Sequence, residues 1–156
     1  MHYRIEEAPA SILLGLSTEM SLVDNKTKFL WSSFMPKLGE ITNRKDEFFY
    51  SVEEYPDDYF KTFNPTKIFK KWAAIAVYEM SDKKDLEILK IPKGKYAVFN
   101  YVGKSSKVYT AYQYIYGEWL AKTNYKLDDR PHFALMGAKY KNGDPASEEE
   151  LWIPIK

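Results

Sequence analysis

Apolar and polar residues recur along this chain at two periods, and the two periods appear in the same order in each half. Residues 3–7 (YRIEE) alternate at period two, Pro9 interrupts, and residues 12–20 resume with Ile12, Leu14 and Leu16 on one face. Two strands are predicted there. Between residues 27 and 41 the spacing changes: Leu30, Trp31, Phe34, Leu38 and Ile41 form one helical stripe. Asp24 or Asn25 is placed to cap that helix by accepting a free backbone N–H. Pro36 lies inside it and leaves the Ser32 carbonyl without its donor, which predicts a kink. Strands follow at residues 48–55 and 69–79. The second has Trp72, Ala74, Ala76 and Tyr78 on one face, with Ala73, Ile75, Val77 and Glu79 on the other. Residues 59–65 between them carry aromatics without a period, as expected of a loop that folds over a pocket.

The second half repeats the order. Residues 86–91 are extended, Pro92 and Gly94 mark a turn, and Tyr96, Val98 and the aromatics at 99–101 carry β propensity. Val108, Ala111, Tyr112, Ile115 and Trp119 then fall on one helical stripe. After Pro131 a strand is predicted over 132–140. Asn142-Gly143 and Asp144-Pro145 are turn signals, residues 148–150 read as a solvated acidic turn, and 151–155 as a last strand. Pro154 belongs near a strand end or an edge, since it cannot donate to a ladder. SILLGLS thus parallels KYAVFNYVG, FFYSVEEY parallels HFALMGAKY, and KKWAAIAVYE parallels EELWIPIK. Two units of about 1–80 and about 81–156 are expected, joined by a charged connector at 81–85 and leaving a cleft between them.

Composition narrows the functions open to such a fold. With 45% hydrophobic residues in 156, the chain can bury a real core. Thirteen Tyr and four Trp suit a site that grips a flat apolar ligand while keeping contact with water. Lys and Arg number 23 against 22 Asp and Glu, a balance that argues against direct nucleic-acid binding. Lys67, Lys70, Lys71 and the Lys83, Lys84 pair are expected at solvated strand ends. Without cysteine, disulfides, thiolate nucleophiles and Cys-based metal sites are excluded, and a reducing cytoplasm is compatible. No secretory leader pattern or run of roughly 20 apolar residues occurs. A cytoplasmic protein away from the membrane is expected. No phosphate-binding glycine loop, nucleophile elbow or metal-ligand spacing occurs, so no cofactor, metal or catalytic residue is expected.

KKWAAIAV, IPKGKYAVF, YGEWL, the RPHF strand and ELWIPIK, in this order, resemble the gyrase-inhibitor-like (GyrI-like) ligand-binding family over residues 12–156. That family includes effector-binding domains of AraC-type and BmrR-type multidrug regulators, and proteins without a DNA-binding domain. The resemblance implies one α+β domain of duplicated strand-helix-strand-strand modules with pseudo-twofold symmetry, antiparallel sheets, two main helices and a central ligand groove. Members bind bulky, aromatic, often cationic molecules there, and some resemble hydrolases of strained genotoxic natural products. Glutamates that the family commonly carries correspond here to Ala76 and Ala134. A buried carboxylate would offset a desolvated cation, and acid–base catalysis needs a titratable group.

A neutral, flat hydrophobic ligand is therefore expected. The candidate lining is Tyr50, Trp72, Ala74, Ala76, His132, Ala134, Met136 and Trp152, with Trp72 and Tyr50 stacking on the ligand. Trp31 and Trp119 are expected in the core and His132 at a polar edge. Glu53, Glu79 and Glu118 are the acids able to replace the missing pair, each otherwise a surface charge. The expected role is a sensor or sequestering protein; the alternatives are a hydrolase of reactive natural products and a module for a protein partner.

Overall fold

Strands and helices form where the two periods predict them. In the computed structural model, β1 (Tyr3–Ala8) and β2 (Ser11–Met20) flank Pro9 and lead into α1 (Thr27–Phe34). Then come β3 (Phe49–Glu54), β4 (Phe69–Val77), β5 (Glu87–Ile91), β6 (Gly94–Val102), α2 (Val108–Tyr114), β7 (His132–Met136) and β8 (Glu148–Pro154). Residues 1–80 and 85–156 are described, so Lys83, Lys84 and nearly all of the expected connector lie outside them.

The eight strands form one antiparallel sheet in the order β1-β6-β8-β7-β3-β4-β2-β5. This order is symmetric about the seam between β7 and β3. Register keeps the symmetry: Ser51 pairs with Ala73, Ala134 pairs with Leu151, and Ser51 pairs with Ala134 across the seam. The first strand of each half is exchanged, β1 pairing with β6 and β5 with β2.

Such a sheet cannot lie flat. Only Pro9 and Ala10 join β1 to β2, and only Pro92 and Lys93 join β5 to β6. Each link reaches roughly 11 Å, whereas about six strand spacings of about 4.8 Å would separate the joined strands in a flat sheet. The sheet therefore curls until its ends approach. β2 also presses closely on β4 at Gly15, where a Cβ would strike the Ala73 carbonyl and the Ala74 side chain. On the inner face, Leu89 and Ile91 of β5 share one core with Tyr96 and Val98 of β6.

The outer face carries the helices. α1 seats Leu30 and Phe34 on Leu14, Ala73 and Ile75. α2 and the helical turns after it seat Ala111, Ile115 and Trp119 on Phe99, Leu151 and Ile153. Full burial of a Leu or Phe side chain contributes roughly 1.5–3 kcal/mol, so these stripes anchor both helices. Trp119 is core, as expected, and Trp31 packs at its margin.

Local differences have local causes. At Pro36 the helix tightens instead of only kinking: α1 ends at Phe34 and Met35–Glu40 continue as 3-10 helix. Asn25, and not Asp24, supplies the side-chain acceptor at the helix start, for the Thr27 N–H at 3.0 Å. α2 passes into a π turn at Ile115–Trp119. β7 stops at Met136, short of the predicted residue 140. β8 starts at Glu148, because Glu148, Glu149 and Glu150 pair with Val102, Tyr101 and Asn100. The expected acidic turn is strand.

Candidate ligand site

Between α1 and α2 the outer face is floored by β3 and β7, and there the apolar pattern gives way. Register aligns Lys71, Glu53 and His132 in one row across β4, β3 and β7. The next row is Ala73, Ser51, Ala134 and Leu151, with short side chains at its centre. Lys71 Nζ donates to Glu53 Oε1 at 2.6 Å, and the two side chains are 10% and 9% exposed. Glu149 of β8 is in phase with the outer-face Leu151 and Ile153 and is 8% exposed. Its carboxyl makes no hydrogen bond or ion pair among the described residues, while the fully enclosed unpartnered side-chain atoms lie elsewhere, on Arg44, Trp119 and Arg130. Burial pushes the Glu149 carboxyl up to about 7; the Lys71 ammonium opposes that rise and the Glu53 charge adds to it.

His132 anchors the other end of the seam. Burial, with a smaller contribution from the Arg130 charge, pushes it down to about 3, so the ring is neutral at pH 7. The Tyr116 hydroxyl, held well above its ordinary range by burial, stays protonated and shares a hydrogen bond with Nδ1 at 2.8 Å. Around this pair aromatic rings close in. Tyr112 stacks on Tyr116 at 5.9 Å, Phe60 stacks on His132 at 5.5 Å, and Tyr55 meets His132 edge-on at 4.9 Å. Tyr59 and Phe60 come from the predicted loop. An open cleft of about 120 Å³ runs beside Tyr55, Phe60, Arg130 and His132. A second hollow of about 320 Å³ lies where β7 ends and β8 begins, bordered mainly by side chains in phase with the inner face, Phe48, Asn100, Leu135, Glu148 and Glu150, together with Glu149.

The structure divides the predicted lining between the two faces. His132, Ala134 and Met136 lie on the outer face, the side that carries the helices. Tyr50, Trp72, Ala74, Ala76 and Trp152 face inward, into or against the inner core. Trp72 is 3% exposed and donates from Nε1 to Glu54. Trp152 stacks on Phe133 at 5.3 Å, and the Tyr50 hydroxyl donates to Asp46 at 3.0 Å. Ala76 and Ala134 have the sheet between them, so one groove cannot be floored by both. His132 is not an edge residue; it is buried on an interior strand. Lys71 is likewise buried, not at a solvated strand end. Of the three candidate acids, Glu53 is buried on the outer face beside Lys71, whereas Glu79 and Glu118 are exposed. Sequence reasoning missed Glu149 on this outer face and Tyr55, Tyr112 and Tyr116 in the aromatic cluster around His132. Glu149 carried a usable signal, since it alternates in phase with Leu151 and Ile153.

Among the described residues, no group of His, Asp or Glu is arranged to hold a metal ion. No described helix is long and apolar enough to cross a membrane. The chain is 26% identical over 158 residues to the transcriptional regulator BrlR of Pseudomonas aeruginosa, covering 99% of this chain and 56% of that regulator. It therefore spans about half of the relative it matches. Two solved structures share the fold. SAV2435 bound to tetraphenylphosphonium superimposes with a TM-score of 0.73 at 16% identity, covering 100% of this chain and 94% of that one. EcmrR in a complex with DNA gives 0.70 at 13% identity, covering 99% and 57%. The family model for the GyrI-like small molecule binding domain matches residues 1–156. The curled eight-stranded sheet, with its two helices flanking a central seam, belongs to a GyrI-like small-molecule-binding domain.

Proposed function

We propose that the groove between α1 and α2 binds a bulky lipophilic monocation, with Glu149 meeting the positive charge. The observation that carries this reading is Glu149, 8% exposed, whose carboxyl makes no hydrogen bond or ion pair among the described residues and borders a hollow. A desolvated carboxylate is unfavourable alone and is offset by an opposite charge brought within contact. The faces of Tyr112, Tyr116 and Phe60 attract the same kind of ligand through their quadrupoles. Tetraphenylphosphonium, held by SAV2435, has this chemistry: a diffuse charge inside an aromatic shell. The two groove carboxyls favour a cation over the neutral ligand expected from Ala76 and Ala134. Sensing or sequestering such a compound requires no covalent step.

The test is a tryptophan-fluorescence titration of tetraphenylphosphonium and of neutral triphenylphosphine oxide. Glu149→Gln should weaken the cation about tenfold or more, the scale expected when one partner of a buried charge pair is removed. The neutral probe should respond far less. Affinity for the cation should rise between pH 5.5 and pH 8, as Glu149 loses its proton near 7. Equal binding of the cation by wild type and Glu149→Gln would remove Glu149 from the site.

A further inference from the structure

The Lys71–Glu53 pair is unexplained by the fold. Buried ion pairs are often replaceable by apolar residues without loss of stability, and this one sits on strands whose flanking outer-face positions are apolar or small. Its place in the groove gives it another meaning, which rests on the binding reading above. We infer that Lys71 sets the charge of the ligand: its ammonium already neutralises Glu53, so the groove has room for one further positive charge and excludes a second.

The charges facing the groove can be counted element by element. β3 brings Glu53, β4 brings Lys71, and β8 brings Glu149. β7 brings His132, which is neutral, and α2 brings Tyr112 and Tyr116, whose phenols stay protonated. Glu53 and Lys71 compensate each other at 2.6 Å. Glu149 lies within the field of both, raised by one and lowered by the other. At the mouth Arg130 pairs with Asp128, and Asp57 and Asp129 are exposed and screened by solvent. With Glu149 ionised the buried groups therefore carry one net negative charge. A monocation balances it. A dication leaves an uncompensated buried charge or must drive Lys71 off Glu53.

Lys71 is thus a specificity residue, and changing it should alter preference between ligands, not binding as a whole. Fluorescence titrations would use tetraphenylphosphonium as the monocation, benzyl viologen as an aromatic dication and triphenylphosphine oxide as the neutral probe. Wild type should prefer the monocation over the dication by at least about tenfold. Lys71→Met frees Glu53, and the ratio of the two affinities should move about tenfold or more toward the dication. Lys71→Arg restores the charge and should restore the wild-type order. Glu53→Gln/Lys71→Met removes both charges, leaves Glu149 alone and should return the preference to the monocation.

A Lys71→Met ratio within about twofold of wild type, with the probes still bound, overturns the assignment of Lys71 and spares the groove. Failure of wild type to bind any probe overturns the groove reading and this one with it. Should Lys71→Met not fold, Glu149→Gln decides. It leaves the neutral Lys71–Glu53 pair intact, so the monocation should be lost while the neutral probe is kept. Retained monocation binding there would remove Glu149 from the site, and with it the single open counter-charge on which the role of Lys71 rests.

Discussion

Glu149 and His132 are titratable groups displaced by burial in opposite senses, and their effects on stability oppose each other over part of the pH range. Glu149 goes from its ordinary 4.5 to about 7 in the fold. The unfolded chain releases that proton first, so Glu149 lowers stability as pH rises from about 4.5 to 7, by roughly 3 kcal/mol in all. His132 goes from 6.5 to about 3. The unfolded chain takes up that proton first, so His132 lowers stability as pH falls from 6.5 toward 3. Between about pH 4.5 and 6.5 the two slopes cancel. Urea unfolding of wild type at pH 5 and pH 6 should show little difference from these groups. Glu149→Gln should gain stability across that interval as pH rises, and at pH 8 should exceed wild type by up to about 3 kcal/mol. A flat profile in the variant would show that His132 is not buried neutral. A second residue-scale expectation concerns Tyr116. Tyr116→Phe leaves the buried His132 Nδ1 without its hydrogen-bond partner and should cost about 1–3 kcal/mol in the same assay.

At the scale of single elements, β4 shows what could be read in advance and what could not. Its period-two alternation is visible in FKKWAAIAV, and both of its faces are buried in the fold. Which face meets the helices depends on cross-strand register, set by residues far away in the chain, and period alone does not contain it. Trp72 and Ala134 were therefore placed in one site although the sheet lies between them. The same reasoning makes Trp72 a structural residue. Trp72→Ala should cost about 3–5 kcal/mol of unfolding free energy, while tetraphenylphosphonium affinity, measured where the variant is folded, should change less than in Glu149→Gln. β8 teaches the complementary lesson. Three consecutive glutamates look like a solvated turn, yet the strand places the middle one beneath the helices and its two neighbours on the other face. Polarity suggested a loop, and the phase of Leu151 and Ile153 was the better guide.

For the molecule as a whole, the order of strands and the two helices were legible from periodicity. The α+β class and antiparallel pairing came with the family resemblance, and the joining of all eight strands in one sheet was in neither. The exchange of β1 and β5 between halves was not legible either, because both are short edge strands whose sequences do not say which neighbour they meet. That exchange predicts that the halves depend on each other. Residues 1–80 and 85–156 produced as separate chains should each lack a cooperative thermal transition. Mixed together, they should recover one, followed by circular dichroism. Cooperative unfolding of either half alone would show that the exchanged strand is dispensable.

The two-residue links at Pro9–Ala10 and Pro92–Lys93 also impose a timetable on synthesis. Tyr3 pairs with Phe99 and Ala8 with Gly94, so β1 leaves the ribosome long before any partner for it exists. At about 5–20 residues per second the wait is on the order of ten seconds. β2 can meet β4 sooner, but its other edge stays open until β5 emerges. During that interval Leu13, Leu14 and Leu16 are available to a chaperone or to another nascent chain, and the charged run Arg4, Glu6 and Glu7 in β1 keeps the earliest strand from pairing with copies of itself.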